Sequence, residues 1–111
     1  MDLTNELNNL IKKLDISVKS LRNTGSDYAK AYTDYRVALA KELVRLKDDG
    51  MAVTIAYDVA RGKPEIAKLK FNEIASEAIY KANQEAINST KLQIKIIQNQ
   101  IDKEYSSDLP N

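Results

Sequence analysis

Tyr28, Tyr32 and Tyr35 recur at steps of four and three residues, with Arg36 beside them. On a helix those steps put the rings on one face. Flat rings backed by a guanidinium can stack nucleic-acid bases. The competing role is packing, with the rings lining a helix interface and their hydroxyls at its rim. Packing is favoured, because base-stacking surfaces usually sit in a strongly basic groove and this segment is balanced in charge. A second set is Tyr57, Arg61, Lys63, Lys68 and Lys70. Residues 51–70 set Arg61, Lys63, Lys68 and Lys70 against Asp58 and Glu65, the clearest basic excess in the chain. Such a corner could dock an acidic protein surface, contact phosphate weakly, or serve only as a turn. A helix-turn-helix reading of the same residues meets three departures. Asp58 stands where a small residue is usual, Arg61 where an apolar one should pack, and Pro64 enters the second helix at once.

Other chemistry is narrowed by what the chain lacks. It contains no Cys and no His. Disulfides, thiolate or imidazole zinc sites and Cys or His nucleophile–base pairs are therefore excluded. The carboxylates alternate with lysines at helical spacing, as in Glu73 and Glu77 or Lys81 and Glu85, and read as solvated faces. No phosphate loop or serine-centred nucleophile turn is present. The expectation is a non-enzyme with no catalytic residue, no metal and no cofactor. The 17 basic and 16 acidic residues leave a formal charge of +1, which makes nucleic acid an alternative partner rather than the favoured one.

The elements that would position these residues are helices. Of 111 residues, 43% are hydrophobic and 30% charged, with few aromatics, which suits one helical domain over residues 1–111 with an aliphatic core. Leu3, Leu7, Leu10, Leu14 and Leu21 follow alternating steps of four and three, with Ser17 filling the gap. This predicts an amphipathic helix over 3–23 close to the heptad register of coiled coils. Asn23-Thr24-Gly25-Ser26 reads as a break, making residues 1–25 an N-terminal helix with more mobility. A second helix is expected over 27–49, ended by Gly50. A short connector helix follows, capped by Thr54 and ended by Gly62. From Pro64 to about residue 105 nothing interrupts the helical pattern, and at 1.5 Å per residue this rod reaches about 63 Å. Residues 106–111 should fray.

The two earlier helices, about 31 Å and 36 Å long, are each too short to cover the last one. Either they lie end to end along it, or they pair with its first half and leave the second exposed. Both arrangements make an elongated molecule. The second is the working expectation, with Ile94, Ile97 and Ile101 as an oligomer interface. No apolar run approaches the roughly 18 residues of a membrane span. The first ten residues lack a charged start followed by an apolar block. The expected location is cytoplasmic.

The run YRVALAKELVRLKDDGMAVTIAYDVARGKPEIAKLKFNEIASEAIYKANQEAINSTKLQIKIIQNQIDKEY resembles a family of small uncharacterised proteins encoded by phages and prophages of Gram-positive bacteria. The similar features are the Leu-Lys…Gly…Val-Thr segment, the Asp58-Val59-Ala60-Arg61-Gly62 turn, and Ala78-Ile79-Tyr80-Lys81-Ala82 leading to Glu85-Ala86-Ile87. The similarity covers about the last two-thirds of the chain. It implies a helical, non-catalytic accessory protein of the host-cell cytoplasm, acting in DNA replication or recombination or against host defence. The expected mode of action is self-association and binding of a protein partner. The alternatives are a nucleic-acid-binding accessory protein and a protein that sequesters a nucleotide between subunits.

Overall fold

The computed structural model describes residues 2–108. These form three helices: α1 over Leu3–Asp48, α2 over Val53–Gly62 and α3 over Pro64–Asp108. The described residues contain no strand, so the chain is all-α, with the expected short connector and long C-terminal helix. No helix among them is long and apolar enough to cross a membrane. Of the tail 106–111, the first three residues are helical and 109–111 lie outside the described residues.

Helix α1 begins at a side-chain cap, the Asp2 carboxylate accepting the Thr4 N–H at 2.9 Å. The break expected at residues 23–26 is absent, and α1 runs straight through Gly25. The reason is register. The half-buried or buried positions 3, 7, 10, 14, 17 and 21 continue without a slip as 24, 28, 31, 35 and 38. A mid-helix glycine costs about 1 kcal/mol relative to alanine, and packing on both sides outweighs it. What Gly25 provides is closeness: a Cβ there would lie 3.1 Å from Cε1 of Tyr80.

Gly50 does end α1, with φ of 92°. Its N–H donates to the Lys47 carbonyl at 2.9 Å, and the Met51 N–H donates to the Leu46 carbonyl at 3.1 Å. This pair of bonds is the Schellman arrangement, and Met51 completes it by packing on the core cluster that contains Leu46. Helix α2 starts after Ala52, which gives no side-chain cap, so Thr54 lies inside the helix and does not cap it. Nor does Gly62 turn the chain. Lys63 is extended, at φ −66° and ψ 133°, because the residue before a proline is pushed out of the helical region. The Lys63 carbonyl then accepts the Ala67 N–H at 2.8 Å, and Pro64 takes the first helical position of α3.

Where one domain is expected, the chain divides into two compact units. The three-helix unit, residues 24–80, contains the second half of α1, all of α2 and the start of α3. There α1 and α3 run antiparallel: Tyr28 meets Tyr80, Tyr35 meets Lys70, and Glu42 meets Lys63. Its core joins Tyr35, Leu39 and Leu46 of α1 with Ala56 and Ala60 of α2 and Ile66 of α3.

The other unit pairs residues up to 23 with residues from 81 onward. The Asn83 amide donates to the Ser17 carbonyl at 2.9 Å, and Leu7 shares a shallow cleft with Ile101, so the two segments are again antiparallel. Its buried residues are Ile87, Thr90 and Ile97. This corrects the expectation that the second half of α3 is left bare. Ile97 is only 7% exposed in a single chain, and Ile94 and Ile101 are half-buried. Positions 87, 90, 94, 97 and 101 form the seam that meets α1, so they are not available as an outward oligomer face. The exposed aliphatics of this stretch are Leu92 and Ile96.

Candidate functional site

In the three-helix unit, α1, α2 and the first turns of α3 enclose an open cleft of about 720 Å³. The tyrosine and basic sets read from the sequence meet there in part. Tyr35 contributes a buried ring, and the Lys70 ammonium lies 4.8 Å from its centroid. Lys70 is held in place by the Glu73 carboxylate at 2.9 Å. That hydrogen bond keeps the ammonium above the ordinary lysine range, against the opposing effect of its partial desolvation. On the α2 side, the Arg61 guanidinium stands 5.1 Å from the centroid of the Tyr57 ring. Both pairs are cation–π contacts. Arg36 and Asp58 add one charge of each sign to the lining, Leu39 and Leu43 add an apolar wall, and Thr54 adds a hydroxyl.

The remaining candidates go elsewhere. Lys63 is half-buried and pairs with Glu42 at 2.6 Å. Arg45 grips the same carboxylate through two nitrogens, at 2.6 Å and 3.2 Å. These hydrogen bonds, that of Arg45 first and then that of Lys63, hold the Glu42 carboxyl down at about 2. Lys68 is exposed and does not line the cleft. Tyr28 and Tyr32 part company with Tyr35. Tyr28 packs edge-on to Tyr32 at 6.5 Å and tilted against Tyr80 at 6.0 Å, over the gap left by Gly25. Tyr80 and Glu42 are the residues that reasoning from sequence missed, and Glu73, expected on a solvated face, is instead buried at 7% exposure. Tyr80 and Glu73 could have been found by stepping back from Ile87 at alternating four and three; Glu42 lies on the α1 row in the same way.

Helix α2 also carries a second surface. Ala56 and Ala60 face inward, both 0% exposed. The larger residues Val53, Ile55 and Val59 are exposed, Ile55 by 56%. The usual amphipathic helix buries its large side chains and exposes polar ones; α2 buries its smallest residues and turns branched aliphatics to solvent.

Among the described residues there is no cluster of three or more carboxylates able to hold a metal ion. No family model, curated protein or solved structure matches the chain.

Proposed function

We propose that the chain is a non-catalytic interaction protein that self-associates through the outward face of α2. The observation that carries this reading is the inversion of that helix, with alanines inside and Ile55 and Val59, one turn apart, outside. Contiguous exposed aliphatics on a short element are a recurrent mark of contact surfaces. The same face presented by two copies would be self-complementary, as a two-fold dimer requires. In this reading the antiparallel seams act as an intramolecular coiled coil, and their task is to hold α2 rigidly in place.

Light scattering on the wild type and on an Ile55→Asp, Val59→Asp double variant tests this. The expected result is a dimer for the wild type and a monomer of unchanged helicity for the variant, since neither side chain contributes to the core. A monomeric wild type, or a variant of unchanged mass, overturns the proposal. The family resemblance extends the reading to a phage-encoded accessory protein of the host cytoplasm, serving DNA replication, recombination or evasion of host defence through a protein partner. Affinity capture from host lysate, compared between the wild type and the same variant, tests that extension. It fails if no host or phage protein is enriched by the wild type alone.

A further inference from the structure

We infer that the cleft between α1, α2 and α3 binds a small phosphate monoester with a flat, hydrogen-bond-donating body, the chemistry of a mononucleotide. The first support is the state of its cations. Of the three cations that line it, Lys70 is paired with Glu73. Arg36 and Arg61, both lining the cleft, are in no ion pair among the described residues. A guanidinium fork matches the oxygens of a phosphate better than any other side chain does. Arg61 is already steadied over the Tyr57 ring, so less rotamer freedom is lost when an anion arrives.

The second support is the rest of the lining. Lys70 carries a charge that Glu73 largely offsets, which leaves the two arginines to supply the attraction. Asp58 lines the same cleft and is likewise in no ion pair. A carboxylate beside two guanidiniums repels a ligand that is anionic throughout. It suits one whose far end donates, such as an exocyclic amine or a ring N–H. Leu39 and Leu43 provide an apolar wall for the flat part, and about 720 Å³ is the size of a small-molecule site. A nucleic-acid strand would need further cations in sequence, and the neighbouring Lys63 and Arg45 are already held by Glu42. A glutamate-rich peptide would meet Asp58 as a like charge. Ile55 and Val59 do not line the cleft, so its occupancy does not require self-association.

Calorimetry on the full chain tests this with a nucleoside monophosphate, the matching nucleoside, inorganic phosphate, a single-stranded oligonucleotide and a glutamate-rich peptide. The monophosphate should bind, with the nucleoside and inorganic phosphate each weaker by about tenfold or more. Arg36→Gln and Arg61→Gln should each weaken it about tenfold, as loss of one charged hydrogen bond does. Asp58→Asn should lower affinity for the monophosphate while raising that for inorganic phosphate, a divergence that general destabilisation cannot produce. Helicity of each variant, read by circular dichroism, should match the wild type because all three side chains are exposed. The inference is overturned if no monophosphate binds, if the double arginine variant binds as well as the wild type, or if the peptide or the oligonucleotide binds more tightly than the monophosphate. Binding should persist in the Ile55→Asp, Val59→Asp variant, so a failure of the dimer proposal and a failure of this one are distinguishable.

Discussion

Ile11, Val18, Leu39 and Leu46 all belong to one row of α1, each a multiple of seven residues from the others, yet their surroundings differ. Leu39 and Leu46, in the three-helix unit, are 7% and 5% exposed; Ile11 and Val18, in the two-segment unit, are 47% and 48% exposed. The difference is α2. Its Ala56 and Ala60 join the cluster around Leu39 and Leu46, and the two-segment unit has no such helix. Two paired helices can bury only a narrow seam, and the flanking row stays wet. A third helix only ten residues long is enough to close that flank. Its inward residues are small because the seam beneath is already filled.

The sharpest way to break this comparison is to truncate one buried aliphatic in each unit. Leu46→Ala should cost about 2–5 kcal/mol, because a site enclosed by three helices leaves a cavity that cannot collapse. Ile97→Ala should fall at or below the lower end of that range, since its surroundings are half-open to water. Urea denaturation measures both, and amide exchange should show the Ile97→Ala loss concentrated in residues up to 23 and from 81 onward. If the two truncations cost the same and exchange rises evenly, the units do not differ in the way described.

A smaller effect, about 1 kcal/mol, is expected where α1 narrows at Gly25. In a Tyr80→Ala background, Gly25→Ala should gain the full helix-propensity advantage of about 1 kcal/mol. With Tyr80 in place the gain should shrink or vanish, because the new Cβ sits 3.1 Å from the ring. A double-mutant cycle reads the coupling directly, and zero coupling would mean that the glycine has no part in that approach. The smallest effect concerns Glu42. Its carboxyl is held at about 2, below the ordinary 4.5. The stabilisation is therefore complete above pH 4.5 and is lost as the pH falls toward 2. The difference in melting temperature between wild type and Glu42→Gln should close over that interval. A difference that persists unchanged at pH 2 would mean the two cations do not act through this charge.

Much of the helical pattern could be read from residues alone, and the failures have specific causes. The leucine spacing of residues 3–21 foretold the α1 seam. The chain's punctuation was misread because glycine has more than one use. Gly50 does take the left-handed conformation, Gly25 makes room for a ring, and Gly62 yields to the proline two residues on. Ile94, Ile97 and Ile101 looked like a surface because their cover, Leu7 and its neighbours, lies more than 80 residues earlier in the chain. The cleft was legible only in pieces. Tyr35, Tyr57, Arg61 and Lys70 were each singled out, but their meeting depends on the α2 corner. The inversion of α2 was harder to foresee, since Thr54, Asp58 and Arg61 mark one polar side but Val53, Ile55, Ala56, Val59 and Ala60 spread around the rest, and the pattern does not say which of them turn inward.

The bond from Asn83 to Ser17 has a consequence for how such a chain can change length. A lone amide in an otherwise repetitive seam acts as an index mark: sliding either segment by one seven-residue repeat would bring Ser76 or Thr90 opposite Ser17, and neither can span the gap as an amide does. Whole repeats can be added or removed together beyond that mark, near Leu10 and Ile94, without disturbing the alignment. The length of this pairing is thus adjustable in steps of seven, with the count starting from Asn83.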